Sequence, residues 1–329
     1  MPSPEADAAE EGGTPSTWRR FVRVLRIALA AAIVAALVHW IGPAEVWARL
    51  AACPWPVAAA GLAASLTGQW LGAIRFASLA RTQGMALSQA DALGINLSAM
   101  FYGLFLPGGT ATSWLVRLLR MPDVKQQLSL ALTVIAGDRA FATAAGAALG
   151  LAADLALGGP ATPAVTLGLV AVTGGAAFFA WALFSPALSA RVERWRNVSV
   201  LRRLAAKRPG DALPRKRPSL ATVVAAASLS AAVHGLGILV WWTLARTLGL
   251  DLGLLEIAWV RSASLVVGLL PVTVGGLGLR EGTVIVLLAG FGVAAADALS
   301  LSLLAFTITV LGVGMVGGGA EAGRLLRRE

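Results

Sequence analysis

The sequence predicts an all-α, polytopic membrane protein with about six full transmembrane helices and two re-entrant helical hairpins. Hydrophobic residues make up 57% of the 329-residue chain and charged residues only 13%, compared with roughly 25% charged residues in soluble domains. The apolar runs are mostly long enough to cross a bilayer, which takes about 20 residues. Two further segments interrupt this pattern with glycine, proline and arginine. Backbone leaves the helix at membrane depth only where protein or water satisfies its polar groups, so these two segments predict specialised elements.

Six apolar runs are expected to span the membrane: residues 27–41, 57–74, 127–152, 165–184, 220–244 and 299–318. The first 17 residues are acidic and rich in Pro, Ser and Ala, which predicts a disordered N-terminal tail. A single membrane domain is expected over residues 18–319, followed by a cytoplasmic C-terminal tail over residues 320–329.

The distribution of basic residues predicts the orientation. Ten of the 27 Lys and Arg residues lie in residues 185–219, where they alternate with apolar residues as in a helix lying on anionic lipid. If residues 91–119 enter from the cytoplasm and return, 22 of the 27 basic residues fall on the cytoplasmic side, in agreement with the positive-inside rule. A full crossing would place the ten basic residues outside. We therefore expect a multi-pass protein of the cytoplasmic membrane with both termini in the cytoplasm.

The two interrupted segments resemble each other. Each has an acidic residue fifteen or sixteen positions before a proline, a pair of glycines after it, and an arginine nine or ten positions beyond it. The residues are Asp91, Pro107, Gly108, Gly109 and Arg117 in the first segment, and Glu256, Pro271, Gly275, Gly276 and Arg280 in the second. Paired breaks of opposite orientation are typical of inverted-repeat transporters. Chance similarity between Leu/Gly-rich stretches is the alternative.

The second segment, residues 268–282, is the main candidate for a binding site. Successive glycine amides can form a concave site for an anion, and a helix resuming near Leu279 would direct its positive N-terminal end at a phosphate. Arg280 would add a bidentate donor. The glycines concerned are Gly275, Gly276 and Gly278. The alternative is that Arg280 only neutralises a buried loop by pairing with Glu281 or Glu256.

Other ionisable residues lie in or beside the predicted spans, where such residues are functional candidates by default. Asp138 and Arg139 are adjacent, so on a helix they point in different directions and are not expected simply to neutralise each other. We expect each to need another partner or a water-filled groove. Asp138 either changes protonation during transport or clamps the first hairpin through Arg117. His234 either relays protons or packs with one hydrogen bond. Arg75, at the expected end of the second span, is a binding candidate or a topology anchor.

Several function classes receive no support from the sequence. A single cysteine, Cys53, excludes an intramolecular disulfide and a thiolate zinc site, and we expect neither a metal nor a cofactor. The net charge of +10 lies mainly in loops, and no nucleic-acid-binding module is recognisable. In the stretch GGLGLREG, Glu281 stands where a dinucleotide-binding motif requires glycine.

Four stretches carry a resemblance to a known family: IRFASL (74–79), FLPGG (105–109) with the later Arg117, GDRAF (137–141) and LPVTVGGLGLREG (270–282). The chain resembles the transmembrane-domain family of lysylphosphatidylglycerol synthases and flippases. The resemblance implies a helical bundle with re-entrant helices that handles phospholipids or polyisoprenoid-linked lipids. It also implies that Arg75 matches a family arginine, although Phe76 replaces the usual Trp, and that Arg280 and Glu281 match a charged pair. No stretch resembles the synthases' aminoacyl-transferase domain, so lysyl transfer is not expected.

These features predict a non-enzymatic, flippase-like protein that moves an anionic phospholipid or polyisoprenoid-linked lipid across the membrane. The expected substrate-binding residues are Arg75, Gly108, Gly109, Arg117, Pro271, Gly275, Gly276, Gly278, Arg280 and Glu281, and the expected gating or coupling residues are Asp138, Arg139 and His234. Anionic lipids are the expected partners, and the sequence also allows a homo-oligomer.

Two alternatives stay open. The first is a membrane transferase acting on a lipid carrier, which would need clustered carboxylates in its loops for metal or base chemistry. The acids expected to be exposed are isolated instead: Glu45, Asp154, Asp211 and Asp251. The second is a non-transporting partner of a separately encoded lipid synthase.

Overall fold

The fold is all-helical in the part of the chain that our computed structural model describes. That part comprises residues 51–106, 109–124, 127–158, 163–185, 216–269 and 278–326, with the single positions 39, 44, 47 and 48. The helices are α1 (Trp55–Thr82), α2 (Gln89–Phe105), α3 (Thr110–Leu119), α4 (Leu128–Ala156), α5 (Pro163–Leu183), α6 (Leu220–Thr247), α7 (Leu254–Gly268), α8 (Leu279–Ala289), α9 (Ala295–Phe306) and α10 (Val313–Leu326). A π-helical turn, Thr307–Gly312, joins α9 to α10.

Five stretches among the described residues are long and apolar enough to cross a membrane: α1, α4, α5, α6 and the continuous helix Ala295–Arg324. Each coincides with one of the predicted spans, so the prediction of a multi-pass helical protein is confirmed. The first predicted span, residues 27–41, and nearly all of the basic loop 185–219 lie outside the described residues. The number of six spans therefore stays a prediction.

Local sequence signals explain several helix ends. Ser88 begins α2, because its hydroxyl accepts a hydrogen bond from the Asp91 amide at 3.0 Å. The same helix ends at Leu106, which has the extended conformation (φ −95°, ψ 148°) favoured by a residue before proline. The prediction that the helix after Pro54 ends at Arg75 is wrong, since α1 continues to Thr82. An arginine ends a span only if it must reach water, and Arg75 finds partners inside the protein.

Two pairs of short helices lie where the sequence is interrupted. The first pair is α2 and α3, with 17 and 10 residues, and the second is α7 and α8, with 15 and 11 residues. In both pairs the two helices pack against each other. Gly109, directly before α3, has φ +52°, a value that favours glycine. Gly108, Pro271, Gly275 and Gly276 lie outside the described residues.

The helix order of the first half recurs in the second. A long helix, a hairpin of two short helices and another long helix occur as α1–α4 and again as α6–α10. The longer hairpin helix of each half packs against the last helix of the other, α2 against α10 and α7 against α4. This order and packing favour a repeat, and the opposite membrane orientation of its two copies stays a prediction.

Buried apolar side chains form two clusters, one on either side of a polar zone. The first cluster contains Phe76, Leu79 and Ile135, and the second contains Trp241, Trp259 and Leu301. Helix α4 passes from the first cluster, which ends at Ile135, to the second, which begins at Ala147. Helix α6 does the same between Ala226 and Ile238. Asp138 and Arg139 of α4 and His234 of α6 lie in these stretches between the clusters.

Candidate functional site

Asp138 on α4 lies at the centre of a buried ionic cluster. Its side chain is fully buried, and its two oxygens contact arginines from three helices. Oδ1 accepts a hydrogen bond from Arg75 Nε on α1 at 2.7 Å. Oδ2 accepts hydrogen bonds from Arg139 Nη2 at 2.8 Å and from Arg117 Nη1 on α3 at 3.3 Å. Since arginine is always protonated in proteins, one carboxylate faces three positive charges.

The three arginines differ in their other contacts and in their accessibility. Arg75 also donates from Nη1 to Ser230 Oγ on α6 at 2.7 Å. The Arg117 guanidinium lies 5.6 Å from the centre of the Phe76 ring, a favourable cation–π arrangement. Arg75 and Arg117 are both buried, whereas 41% of the Arg139 side chain is exposed. Arg139 is therefore the member of the cluster that a ligand can reach first.

This geometry corrects one expectation and distinguishes between two others. The expectation that Asp138 and Arg139 do not pair with each other is wrong, because Arg139 donates to Asp138 from both Nε and Nη2. Asp138 also has the further partners that were expected, Arg75 and Arg117. Although adjacent side chains diverge by about 100° on a helix, the arginine is long enough to fold back. Of the two expectations for Arg75, a binding candidate or a topology anchor, the structure favours the first, because Arg75 is buried within α1 and bonded to Asp138 and Ser230. The contact expected for a clamp, between Asp138 and Arg117, is present and is compatible with a coupling role as well.

His234 on α6 connects this cluster to the second hairpin. Its Nε2 lies 2.9 Å from the Ala142 carbonyl on α4, and its Nδ1 lies 3.3 Å from Arg261 Nη1 on α7. A guanidinium can only donate, so Nδ1 accepts and Nε2 donates, which makes the ring neutral. Gly146 gives the ring its room, because a Cβ there would lie 2.7 Å from His234 Cε1. The ring makes two hydrogen bonds, more than the single one expected for simple packing.

Glu281 at the start of α8 is the other buried carboxylate of this zone. Its side chain is fully buried. Oε1 accepts hydrogen bonds from Arg280 Nη2 at 2.6 Å and from Ser302 Oγ at 3.4 Å, and Oε2 accepts one from the Gly278 amide at 2.6 Å. Arg280 is 19% exposed, and its guanidinium lies 5.1 Å from the centre of the Phe306 ring. Arg280 thus has one face toward the protein and one that a ligand can approach.

The predicted anion site at this helix needs a correction. The helix does resume at Leu279, as expected. The Gly278 amide, however, donates to the Glu281 carboxylate and is not free for a phosphate. A carboxylate three residues into a helix favours this arrangement, because it pairs with the unsatisfied amides of the first turn. The alternative pairing of Arg280 with Glu281 is present, whereas Glu256 instead accepts from the Gly253 amide at 2.7 Å.

We call the buried and half-buried charged residues of this region, together with His234, the charged row: Arg75, Arg117, Asp138, Arg139, His234, Arg261, Arg280 and Glu281. The ring of His234 lies within electrostatic reach of Arg75, Arg139 and Arg261, and Arg261 within reach of Arg280. The charged row contains five guanidinium groups and two carboxylates. Buried charge without a counter-charge is costly, so the described residues of the row are suited to an additional anion.

Asp154 near the end of α4 corrects a further expectation. It is not exposed but 1% accessible, and it accepts hydrogen bonds of 2.7 Å from Trp259 Nε1 and from Thr166 Oγ1. Its partners come from α7 and α5, which cover it. Asp251 is exposed as expected and pairs with Arg246, while Glu45 and Asp211 lie outside the described residues. Within the described ranges, no three His, Cys, Asp or Glu side chains come together as metal ligands would.

Comparison with known families gives a match over almost the whole chain. Residues 23–317 match the family described as the lysylphosphatidylglycerol synthase TM region. The chain belongs to this family. The resemblance carried by the four sequence stretches is thereby confirmed, and the chain is a multi-pass membrane protein related to lipid synthesis or flipping. No curated protein and no solved structure matches it.

In this member of the lysylphosphatidylglycerol synthase TM family, each of the four stretches contains or precedes residues of the charged row. IRFASL supplies Arg75, GDRAF supplies Asp138 and Arg139, and the last stretch supplies Arg280 and Glu281. Arg117 follows FLPGG and contacts Asp138 directly. The structure therefore brings the predicted charged residues into one zone.

Sequence reasoning missed Arg261 and Ser230 as members or partners of this site. Arg261 lies among apolar and small residues in the middle of α7, five residues after Glu256, and an ionisable residue in such a position is a functional candidate. Gly237 on α6 leaves the space that its guanidinium occupies. Ser230 carries no such signal, because a serine among alanines is common in a membrane helix.

Proposed function

We propose that the protein is a flippase-like translocase, not an enzyme, for an anionic lipid of the cytoplasmic membrane. The observation that supports this most is the excess of guanidinium groups over carboxylates in the charged row. A phosphate-bearing headgroup would supply the missing negative charge. Arginine binds phosphate through two parallel hydrogen bonds, so several arginines in one zone favour a phosphate over a neutral polar group.

Arg139 and Arg280 would make the first contacts with the headgroup, because both side chains are partly exposed. Each pairs at rest with a fully buried carboxylate, Asp138 or Glu281. An arriving phosphate would take over part of this pairing, and the carboxylate would take it back when the phosphate leaves. Exchange of this kind lets a charged headgroup pass while Arg139 and Arg280 each keep an anionic partner.

The two hairpins would carry the movement. Arg117 lies on the short helix of the first hairpin, and Arg261 and Arg280 lie on the two helices of the second. A shift of either hairpin against α4 would change which arginines reach the headgroup. His234 contacts α4 and α7 at once and would couple the two hairpins. Discontinuous helices in two related halves are the arrangement through which many transporters alternate access.

The test is lipid movement in vesicles that contain the purified protein. Fluorescent phosphatidylglycerol and fluorescent phosphatidylcholine are compared, with dithionite added to quench the outer leaflet. We expect additional quenching of phosphatidylglycerol relative to protein-free vesicles, and loss of that increment in Arg280→Gln. Arg246→Gln is the matched control, because Arg246 forms an exposed ion pair away from the row. Quenching of phosphatidylglycerol no faster than in protein-free vesicles would overturn the proposal.

A further inference from the structure

A cavity lies beside the charged row and has no role in the proposal above. It is an apolar space of about 410 Å³ between α4, α5 and α6, within the range of roughly 300–1,000 Å³ typical of ligand sites. Small side chains keep it open, and those of Ala144, Ala145, Ala148, Ala177, Ala180 and Ala227 line its walls. Larger apolar side chains at any of these positions would fill it.

The dimensions of the cavity fit one hydrocarbon chain. Its wall extends along α5 and the residue after it, from Thr173 to Phe184, eleven positions and therefore about 16 Å at 1.5 Å per residue. This is close to half of the roughly 30 Å hydrocarbon core of a bilayer. An acyl chain of a phospholipid occupies one leaflet, whereas a polyisoprenoid is longer than one leaflet. The depth favours an acyl chain.

One end of the cavity carries a positive charge. Arg217 lines this end, together with Pro218 and Phe184. Among the described residues its guanidinium donates only to Ser185 Oγ, at 3.4 Å, and no described carboxylate forms an ion pair with it. An apolar space with an arginine at its end complements a lipid that has a hydrocarbon chain and a phosphate.

The cavity shares a wall with the charged row. The Phe184 ring packs against Gly137, where an added Cβ would lie 2.6 Å from the ring, and Gly137 directly precedes Asp138. Phe141, three residues after Asp138, lines the cavity from α4. A lipid in the cavity would therefore lie one side chain away from the cluster of Asp138.

We propose that this cavity is a binding site for one acyl chain of an anionic phospholipid, with the phosphate of that lipid on Arg217. The proposal relies on the proposed function only for the class of lipid. It concerns binding at equilibrium and requires no translocation. The lipid would bind here first, beside the charged row, and its headgroup would then move to the arginines of that row.

The test uses the purified protein with phosphatidylglycerol that carries a photoreactive diazirine in one acyl chain, followed by peptide mapping. We expect labelled residues on the facing surfaces of α4, α5 and α6. Ala177→Trp fills the cavity and should reduce this labelling about tenfold, because the acyl chain loses its binding space and the affinity for the lipid falls. Ala171→Trp, also exposed on α5 but outside the cavity, is the matched control and should label as the unchanged protein does.

Two further variants examine the ends of the cavity. Arg217→Gln should weaken labelling by phosphatidylglycerol about tenfold, as expected for a lost charged hydrogen bond, and leave labelling by the matching phosphatidylcholine unchanged. Thr173→Val removes the hydroxyl at the deep end, which has no hydrogen-bond partner among the described residues, and should leave labelling unchanged. Loss of labelling in this variant would show a polar ligand group at that depth and contradict an acyl chain.

The outcome separates this inference from the proposed function. Unchanged labelling in Ala177→Trp, with the variant folded as judged by gel filtration, would overturn the acyl-chain site even if translocation is observed. Displacement of the label by a polyprenyl phosphate but not by unlabelled phosphatidylglycerol would overturn the assignment to a phospholipid. Labelling as expected without translocation would leave the site intact and contradict only the translocase.

Discussion

Arg75 and Asp138 are 63 residues apart in the chain and are joined by a 2.7 Å hydrogen bond from Nε to Oδ1 inside the protein. Arg75 also donates to Ser230, so a single guanidinium connects α1, α4 and α6. On α4 and α6 the connection lies in the stretches that separate the two apolar clusters. It gives Asp138 a structural role whether or not the residue also takes part in transport.

The first prediction concerns the charge of Asp138. Asp138→Asn removes the carboxylate that pairs with three arginines, and breaking a buried ion pair in this way costs about 3–5 kcal/mol. We expect a lower melting temperature in detergent and no lipid translocation. Added phosphatidylglycerol should restore part of the melting temperature, because its phosphate replaces the lost charge, whereas phosphatidylcholine should not. An unchanged melting temperature without lipid would contradict the role as an ion-pair clamp.

The second prediction concerns phosphate recognition by Arg280. Arg280→Lys keeps the charge but loses the planar donor pair, so binding of phosphatidylglycerol should weaken only partly. Arg280→Ala should weaken it about tenfold or more, corresponding to roughly 1.4 kcal/mol. Binding in detergent is measured by native mass spectrometry, with Arg246→Ala as control. Equal affinities for the unchanged protein and both Arg280 variants would show that Arg280 does not bind the phosphate.

The third prediction concerns orientation. Lys216 and Asp251 lie just beyond opposite ends of α6, and both are exposed. In a Cys53→Ala background, Lys216→Cys should react with a membrane-impermeant thiol reagent only after the cells are opened, and Asp251→Cys should react in intact cells. This result follows from the excess of basic residues in 185–219. Reaction of both positions from the same side would show that the predicted topology is wrong.

The fourth prediction concerns the close approach of α4 to His234. Gly146→Ala places a Cβ 2.7 Å from the ring and forces it to move, which should destabilise the protein by about 1–3 kcal/mol and slow translocation. Gly175→Ala on α5 meets nothing within 4 Å and should be neutral or slightly stabilising. The double variant Gly146→Ala, His234→Ala should lose less unfolding free energy than the two single variants together, because the smaller side chain at position 234 leaves room for the new Cβ. Strict additivity of thermal-unfolding data would exclude the steric explanation.

Much of the fold was predictable from the sequence because a membrane helix must be apolar over a fixed length. The runs that became α4, α5 and α6 lie within a few residues of their expected bounds. The error at Arg75 has a physical origin, since an arginine inside a span can satisfy its charge with a buried aspartate instead of reaching water. Only the folded arrangement of α1 and α4 reveals that partner.

The individual residues of the site were predictable, and their partners were not. Charged residues inside apolar runs identified Asp138 and Arg139, and the same reasoning would have identified Arg261. Spacing along one helix says nothing about which other helices pack against it. For that reason the burial of Asp154 by Trp259 and Thr166, from two other helices, could not be predicted.

The π-helical turn Thr307–Gly312 gives the last span two different faces. Before the turn, Leu301 and Leu304 of α9 pack into the second apolar cluster. After it, Gly317 of α10 lies so close to α2 that an added Cβ would collide with the Leu97 carbonyl. Each residue in a helix contributes about 100° of rotation, so the number of residues in this turn sets the angle at which α10 meets α2. The number of residues in the turn therefore determines which face of α10 packs against the first hairpin. Losing or gaining one residue there would turn Gly317 away from α2, even if every side chain of α10 were retained.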